Sequence, residues 1–500
     1  MNAETVKHPG RRTVRLTALL FPPAGLLVLW LTKGISLARK LFASLVILLY
    51  MPIYAAVIIV ILWKVFGLQY EFRGSGVPAL TWRKTLPDYA KLEASRVAHQ
   101  RTSAPPTNSG TTGNAYWTGF RGPARDGHYR EQPISTNWPA SGPPLLWKQP
   151  VGGGYASFAL AEGRAFTIEQ RREQEVVAAY EVTSGRELWT NGWKTEFQEP
   201  LGGDGPRATP VWDEGKIYAL GAEGELRCLE AASGKLLWRT NTLDENRAPV
   251  LTYGISASPL VHEEKLIIAA GGPRKHSVVA YHKNSGKEIW GALDDGAAYS
   301  SPMVVELAGE RQYLVVTRTR AVGLAMADGK LLWQFPWVVL QGNRNIAQPV
   351  LVSTNRVFLS AGYGTGCAVI EVGRTKTGFQ PREVWRNKNL KNKFTTSVFH
   401  DGFLYGLDED ILVCVDATTG ERRWKDGRYG YGQLLLAGGQ LIVLCGNGDL
   451  VLTKAVPQAH EELRRFSAIE GKTWNHPAIA DGLLLVRNNA EMACFDLRPK

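Results

Sequence analysis

A turn glycine followed four residues later by tryptophan recurs along this chain: Gly185 with Trp189, Gly234 with Trp238, Gly286 with Trp290, Gly329 with Trp333 and Gly420 with Trp424. Each pair closes the same phrase, as in YEVTSGRELW, LEAASGKLLW and YHKNSGKEIW. Looser copies carry Trp385, place Phe466 where tryptophan is expected, and stop at Phe495 before the glycine turn, while Trp147 stands alone ahead of the series. The tryptophans at 147, 189, 238, 290, 333, 385 and 424 are 42, 49, 52, 43, 52 and 39 residues apart. That is the period of propeller blades, and no helical pattern fits the units.

Before each copy, a small-polar step leads into a β-rich run with a Gly or charged turn: ATPVWDEGKIYAL from Ala208, ASPLVHEEKLIIAA from Ala257, NHPAIADGLLLVRN from Asn475. Those are hairpin signals. A second tight connection follows, as in LGAEGELRCL, so each unit reads as four short strands. Glycine serves a turn with positive φ. Tryptophan at fixed spacing falls on one face of the outer strand, where its area can dominate a contact with the next blade. The expectation is an all-β, eight-bladed propeller in which Trp147, Trp189, Trp238, Trp290, Trp333, Trp385 and Trp424 dock blades. The last unit lacks its Trp strand and Leu145 to Lys148 is a Trp strand lacking a blade, so the N-terminal strand is expected to complete the eighth blade and close the ring.

The ring accounts for residues 116–500. Of 58 Lys and Arg, 14 lie in residues 1–115 beside 4 of the 46 acidic residues, so the basic charge belongs to the N-terminal arm. The ring is near neutral and has no electrostatic footprint for nucleic acid. Leu41 to Trp63 is a charge-free run of 23 residues, long enough for a transmembrane helix. Leu16 to Leu31 is shorter and interrupted by Pro22-Pro23; the reading favoured is that it does not span, although a short span, a re-entrant turn and an interfacial segment all fit. Lys7, Arg11, Arg12, Arg15, Lys33, Arg39 and Lys40 precede the long run, and Lys64, Arg73, Arg83 and Lys84 follow it. This bias favours a cytoplasmic N-terminus, hence an inner-membrane protein with its ring in the periplasm. Residues 1–70 are thus the anchor and 71–115 a linker, with a short helix expected at 86–100 and a flexible tether at 101–115. Cys228, Cys414 and Cys494 hold one repeat position in different blades and read as small buried residues.

The Thr-Gly…Trp repeats, the Ser/Thr-Pro steps and the N-terminal closing strand together resemble the PQQ-like, or quinoprotein-like, β-propeller repeat family, from about residue 116 to 500. Tyr116 to Gly127, YWTGFRGPARDG, looks like the W-x-x-F-R-G-P segment that leads into such rings. One branch of that family contains dehydrogenases carrying pyrroloquinoline quinone and calcium, typically with adjacent cysteines, an Asp base and a Glu/Asn/Asp calcium shell. The other is the scaffold subunit of the outer-membrane β-barrel assembly machine, which binds proteins without catalysis and usually has a lipoprotein cysteine. This chain has no Cys-Cys pair, and its first cysteine is Cys228. The resemblance implies a non-catalytic scaffold for envelope proteins or peptides with no cofactor; the alternatives are a PQQ-and-calcium oxidoreductase and a small-ligand sensor.

Catalytic and metal-binding residues are not assigned. Asp294-Asp295 and Asp408-Glu409-Asp410 fall in turns, where solvated charge is the ordinary explanation. His262-Glu263-Glu264 and His460-Glu461-Glu462 lack a second histidine, and GYGTG at 362–366 has no following helix. A binding face is expected where equivalent residues, three before the Pro position of each first strand, fall on one circle: Tyr155, Arg207, Ser256, Tyr299, Ile346, Phe394, Tyr431 and Trp474. These residues either surround the channel mouth, with Arg344, Asn345, Lys393, Arg428 and His476 as polar neighbours suited to peptide contact, or pack between blades.

Overall fold

The computed structural model describes residues 11–74, 78–82, 85–102, 116–339, 342 and 344–499; Lys7, Arg83, Lys84 and residues 103–115 of the expected tether lie outside the described residues. The chain divides into two compact units, residues 1–71 with 78–84, and residues 72–77 with 85–500.

The first unit contains helices α1 (Arg11–Leu20), α2 (Pro22–Leu31) and α3 (Leu37–Lys64). The apolar run at 16–31 is divided at Phe21, because prolines occupy the first positions of α2 and cannot continue the hydrogen bonding of the preceding helix. Each half is about 15 Å long, against a hydrocarbon core of about 30 Å. The two pack together with α3 around Val14, Leu29 and Ile47. Gly25 permits this approach: a Cβ there would lie 2.2 Å from the Ala18 Cα. Among the described residues α3 is the one helix long and apolar enough to cross a membrane.

In the second unit, α4 (Tyr89–Thr102) begins after Asp88, whose Oδ1 accepts a 2.9 Å bond from the Lys91 amide and so caps the helix. Leu92 is buried and Arg96 pairs with Glu187 at 2.6 Å. Eight antiparallel sheets follow: blades 1 to 6 at residues 159–194, 211–241, 260–292, 303–336, 350–387 and 398–428, blade 7 at 433–467, and blade 8 at 478–496 completed by Leu145–Pro150. The chain is an eight-bladed β-propeller. In blade 8 the closing strand pairs Trp147 opposite Cys494. That register repeats at Trp238 opposite Cys228 and Trp424 opposite Cys414. The cysteines are therefore the small residues that let the indole lie across the sheet, and burial pushes all three thiols up to about 12.

Two belts hold neighbouring blades together. On the outside, Trp147, Trp189, Trp238, Trp385 and Trp424 donate from Nε1 to carbonyls of the next blade at Val182, Ala231, Lys283, Ala417 and Val456, at 2.8 to 3.1 Å. The next blade's turn glycine lies flat on the ring: a Cβ at Gly185 would be 2.7 Å from Trp147 and one at Gly234 2.4 Å from Trp189. Positive φ is thus only half of the reason for glycine; the indole leaves no room for a side chain. Trp333 departs from the pattern by turning into its own blade, where it donates to Gln312 Oε1 at 2.6 Å.

The inner belt comes from the residue just before each Pro position. The Ser157 amide donates to Thr209 Oγ1 at 3.0 Å, Thr209 to Ser258 Oγ at 2.9 Å, and Ser258 to Ser301 Oγ at 2.9 Å. Gln348 continues it through its amide to Thr396 Oγ1 and its side chain to Ser301 O. Gln433 reaches Phe394 O and Trp474 O, and Ser157 Oγ returns to His476 O at 2.6 Å. Every blade junction is bridged, which accounts for the small polar residue at this step.

The lead-in segment enters the ring and plugs its channel. Trp117 and Thr118 carbonyls accept from Leu160 and Trp212 in blades 1 and 2. His128–Tyr129 adds a short parallel strand to Gln433–Ala437 of blade 7. Arg121 donates to Thr396 O at 3.0 Å and Ser397 O at 2.9 Å, and Arg125 to Ser258 O, Pro259 O and Pro302 O. Both guanidiniums are buried, and desolvation pushes them down to about 10 and about 9 respectively. Their charge is held by carbonyl dipoles from blades 3, 4 and 6.

Candidate functional site

Where the inner strands begin, above the plug, lies a cavity of about 270 Å³. Its floor includes Phe120 of the plug and His476, whose rings meet edge to face at 4.8 Å. Desolvation, reinforced by the charge of Arg121, holds the His476 imidazole well below its usual range, so the floor is neutral.

The eight equivalent positions converge on this cavity. Tyr155, Arg207, Ser256, Tyr299, Ile346, Phe394 and Trp474 line it, and Tyr431 packs behind Phe394 at 5.4 Å. They also touch each other across blades. Trp474 lies 5.3 Å from Tyr155 and 4.7 Å from Phe394, so facing the channel and packing between blades are both true of them. Of the expected polar neighbours, Arg344 and Lys393 line the wall. Asn345 is instead buried, donating to Thr317 O and Trp337 O, and Arg428 is paired with Asp410 at 2.6 Å away from the lining. Tyr253, Tyr363, Phe120 and Phe72 complete the aromatic wall without occupying the repeat position. Tyr363 lies in the GYGTG turn that sequence reading treats as a strand-end loop, and has φ of 56°.

Cations sit on the rings. Arg207 lies 5.2 Å from the Tyr155 centroid, Arg344 5.1 Å from Tyr253, and Lys393 4.9 Å from both Tyr363 and Tyr431. Burial lowers the Arg207 guanidinium despite its neighbours, and burial pushes the Tyr363 and Tyr431 phenols up to about 12. No carboxylate is among the described lining residues. Glu199 is turned aside to the amides of Leu201 and Gly202. Segment 72–74 covers the opening: Lys393 Nζ donates to Gly74 O at 2.7 Å and Lys472 Nζ to Phe72 O at 3.2 Å.

The acidic pairs noted in the sequence lie elsewhere. Asp295 fixes a turn through Thr317 and Thr319. Asp408 is not solvated: it is buried between Lys391 and Lys425, which corrects the turn-based expectation. Among the described residues no group of three or more His, Cys, Asp or Glu is placed to hold a metal ion. His460 bonds the Tyr429 hydroxyl at 2.6 Å.

The fold, the docking tryptophans and the aromatic mouth define a PQQ-like repeat propeller. The sequence profile of the family described as outer membrane protein assembly factor BamB matches residues 172–426, just over half the chain. The chain belongs to this family. It is 21% identical over 287 residues to the outer membrane protein assembly factor BamB of Yersinia pestis, covering 53% of this chain and 68% of that one. It is 31% identical over 120 residues to quinohemoprotein alcohol dehydrogenase ADH IIB of Pseudomonas putida, a match spanning 23% of this chain but 17% of the enzyme. In three dimensions it is similar to BamB of Moraxella catarrhalis, with TM-score 0.50 at 14% identity over 71% of this chain and 99% of that one. Quinohemoprotein alcohol dehydrogenase of Comamonas testosteroni aligns with TM-score 0.51 at 14% identity over 82% and 85%. These likenesses establish the ring itself, common to an assembly factor and an alcohol dehydrogenase.

Proposed function

We propose that this protein is a membrane-anchored scaffold of the bacterial envelope that binds a segment of another envelope protein at the channel mouth and performs no chemistry. The observation carrying this reading is the composition of the mouth: aromatic faces crowned by Arg207, Arg344 and Lys393, with no carboxylate among the described lining residues. Aromatic anchors beside cations make a recognition surface. A calcium–quinone pair does not fit these residues, because the described lining residues offer neither a carboxylate ligand nor a carboxylate base, and the cysteines are dispersed through the blades. Membership in a family described by an assembly factor supports the same reading.

In this proposal residues 1–70 are the anchor, with α3 spanning the inner membrane from a cytoplasmic N-terminus, residues 71–115 are a linker, and the propeller of 116–500 lies in the periplasm. Tyr155, Arg207, Tyr299, Phe394, Tyr431 and Trp474 form the docking face. The test is a photo-crosslinking amino acid at Phe394, activated in intact cells and followed by mass spectrometry. Adducts with an envelope polypeptide are expected, and they should fall away when Tyr299 and Trp474 are changed to Ala. A stoichiometric quinone spectrum with dye-linked alcohol oxidation after reconstitution with quinone and calcium would overturn the proposal.

A further inference from the structure

Segment 72–74 is bound as a guest, held in part through its main-chain carbonyls. Two lysines of the ring hold two of its main-chain carbonyls, Lys393 at Gly74 O and Lys472 at Phe72 O. Both cations also rest on the aromatic wall: Lys472 Nζ is 4.2 Å from the Trp474 centroid, and Lys393 Nζ is 4.9 Å from Tyr431. Phe72 contributes to the cavity lining, while Arg73 between the two held carbonyls is exposed. At Gly74 the backbone has φ of 96° and lies on Tyr431 so closely that a Cβ would be 2.4 Å from Cδ2, with Phe394 Cε2 at 2.9 Å. The site therefore reads main-chain carbonyls and one aromatic side chain, the recurrent basis of peptide recognition.

Resting on the scaffold reading above, we propose that residues 72–74 are a resident mimic of the partner, and that the partner is a polypeptide segment presenting an aromatic side chain and main-chain carbonyls in the same way. Two observations fix that occupant. The seated segment shows the binding mode directly, and the lining supplies cations with no described carboxylate, a complement to carbonyl oxygens. A partner must displace the strap. Its apparent affinity is lowered by the fraction of molecules whose mouth is open, and a strap attached to the same chain competes at high effective concentration.

The test uses the full-length protein in detergent and a fluorescein-labelled peptide of residues 68–74, Leu-Gln-Tyr-Glu-Phe-Arg-Gly. Phe72→Ser and Gly74→Val each release the strap, the first by removing its anchor and the second by collision with Tyr431. Both are expected to bind the peptide at least ten-fold more tightly than the unaltered protein in fluorescence anisotropy. Adding Lys393→Ala with Lys472→Ala to Gly74→Val should reverse that gain at least ten-fold. Equal affinity in the unaltered protein and both strap variants, an absence of binding in all of them, or affinity indifferent to the lysines overturns the proposal. A stable dimer that Phe72→Ser dissociates also overturns it, by assigning the strap to a second copy. The scaffold reading fails separately. Peptide binding without any envelope adduct at Phe394 sinks the scaffold and leaves the strap, whereas adducts of equal yield with and without Gly74→Val sink the strap and leave the scaffold.

Discussion

The plug and the strap both close the propeller channel with cations bonded to backbone carbonyls, yet the contact runs in opposite directions. In the plug the inserted chain brings the cations, and Arg121 and Arg125 read carbonyls of the ring. At the mouth the ring brings the cations, and Lys393 and Lys472 read carbonyls of the inserted chain. The difference follows from the side chains. A guanidinium has five donors in a rigid fork and holds several carbonyls at once, which suits a buried junction between blades. An ammonium on a flexible stem holds one or two and can exchange them. The plug is accordingly buried at Trp117, Arg121 and Arg125, while Phe72 and Gly74 are half-buried. The same chemistry makes one seal part of the fold and the other part of a binding site.

The sharpest way to break this comparison is to remove the forks. Arg121→Met keeps most of the side-chain volume but orphans the carbonyls of Thr396 and Ser397, at a cost of about 3 kcal/mol in unfolding free energy. Arg125→Met should cost a similar amount. Gly74→Val, by contrast, should change global stability by less than about 1 kcal/mol, because it frees only a half-exposed strap. Urea midpoints at unchanged m-value read all three. Equal losses in plug and strap variants would show that both seals belong to one cooperative unit, and the distinction would fall.

How much of this was legible beforehand depends on whether a residue obeys the repeat. The blade count, the closing strand, the series of tryptophans and the circle of mouth residues all sit at fixed offsets from a motif; the structure closes eight blades with the N-terminal strand, whereas Trp333 turns into its own blade instead of docking the next. Gly142, which lies against Phe466 as the turn glycines lie against tryptophan, escaped notice because Pro143 and Pro144 lengthen its spacing to Trp147. The Ser/Thr-Pro steps are visible as a motif, but their inner-belt hydrogen bonds join residues of neighbouring blades 43 to 52 positions apart in sequence, so no local pattern reveals them. Tyr253, Tyr363 and Phe120 come from turns and Phe72 from the end of a strand outside the blades, none with a repeat register. The burial of Asp408 depends on Lys391, in the loop ahead of its blade, and on Lys425, in the blade's outer strand, which only the folded blade brings together.

Acid sharpens the comparison, because histidines lie on the plug side and lysines on the strap side. His476, on the cavity floor, is held by burial and by Arg121 well below 6.5, the value it regains on unfolding. Below that pH the unfolded chain takes up a proton that the native ring refuses, so stability is level above about 6.5 and declines as pH falls. The limit is 1.36 kcal/mol per pH unit, about 2 kcal/mol by pH 5. His128 in the plug acts in the same sense, since burial outweighs the pull of Asp126 and sets it at about 4. His476→Gln should make the decline between pH 6.5 and 5 shallower in urea titrations, leaving the part contributed by His128. Peptide affinity of the Gly74→Val protein should stay constant over the same range, and an equally steep fall there would couple the two ends of the channel.

The smallest effect is the most specific to the strap. A hydrogen bond from a charged group contributes about 1.5–3 kcal/mol, so Lys393→Ala with Lys472→Ala should leave global unfolding almost unmoved while favouring local opening by at least about 1.4 kcal/mol. That is at least a ten-fold rise in the open population, and proteolysis reports it when opening is fast relative to cleavage. Arg73 provides the reporter, because it is exposed between the two held carbonyls and trypsin cuts after it only when the backbone leaves the ring. The lysine variant should be cleaved there at least about ten times faster than the unaltered protein, and Arg121→Met should not be. If removing the fork in the plug speeds that cut as much as removing the lysines beside it, the strap is held by the ring as a whole, and its two carbonyl contacts are incidental.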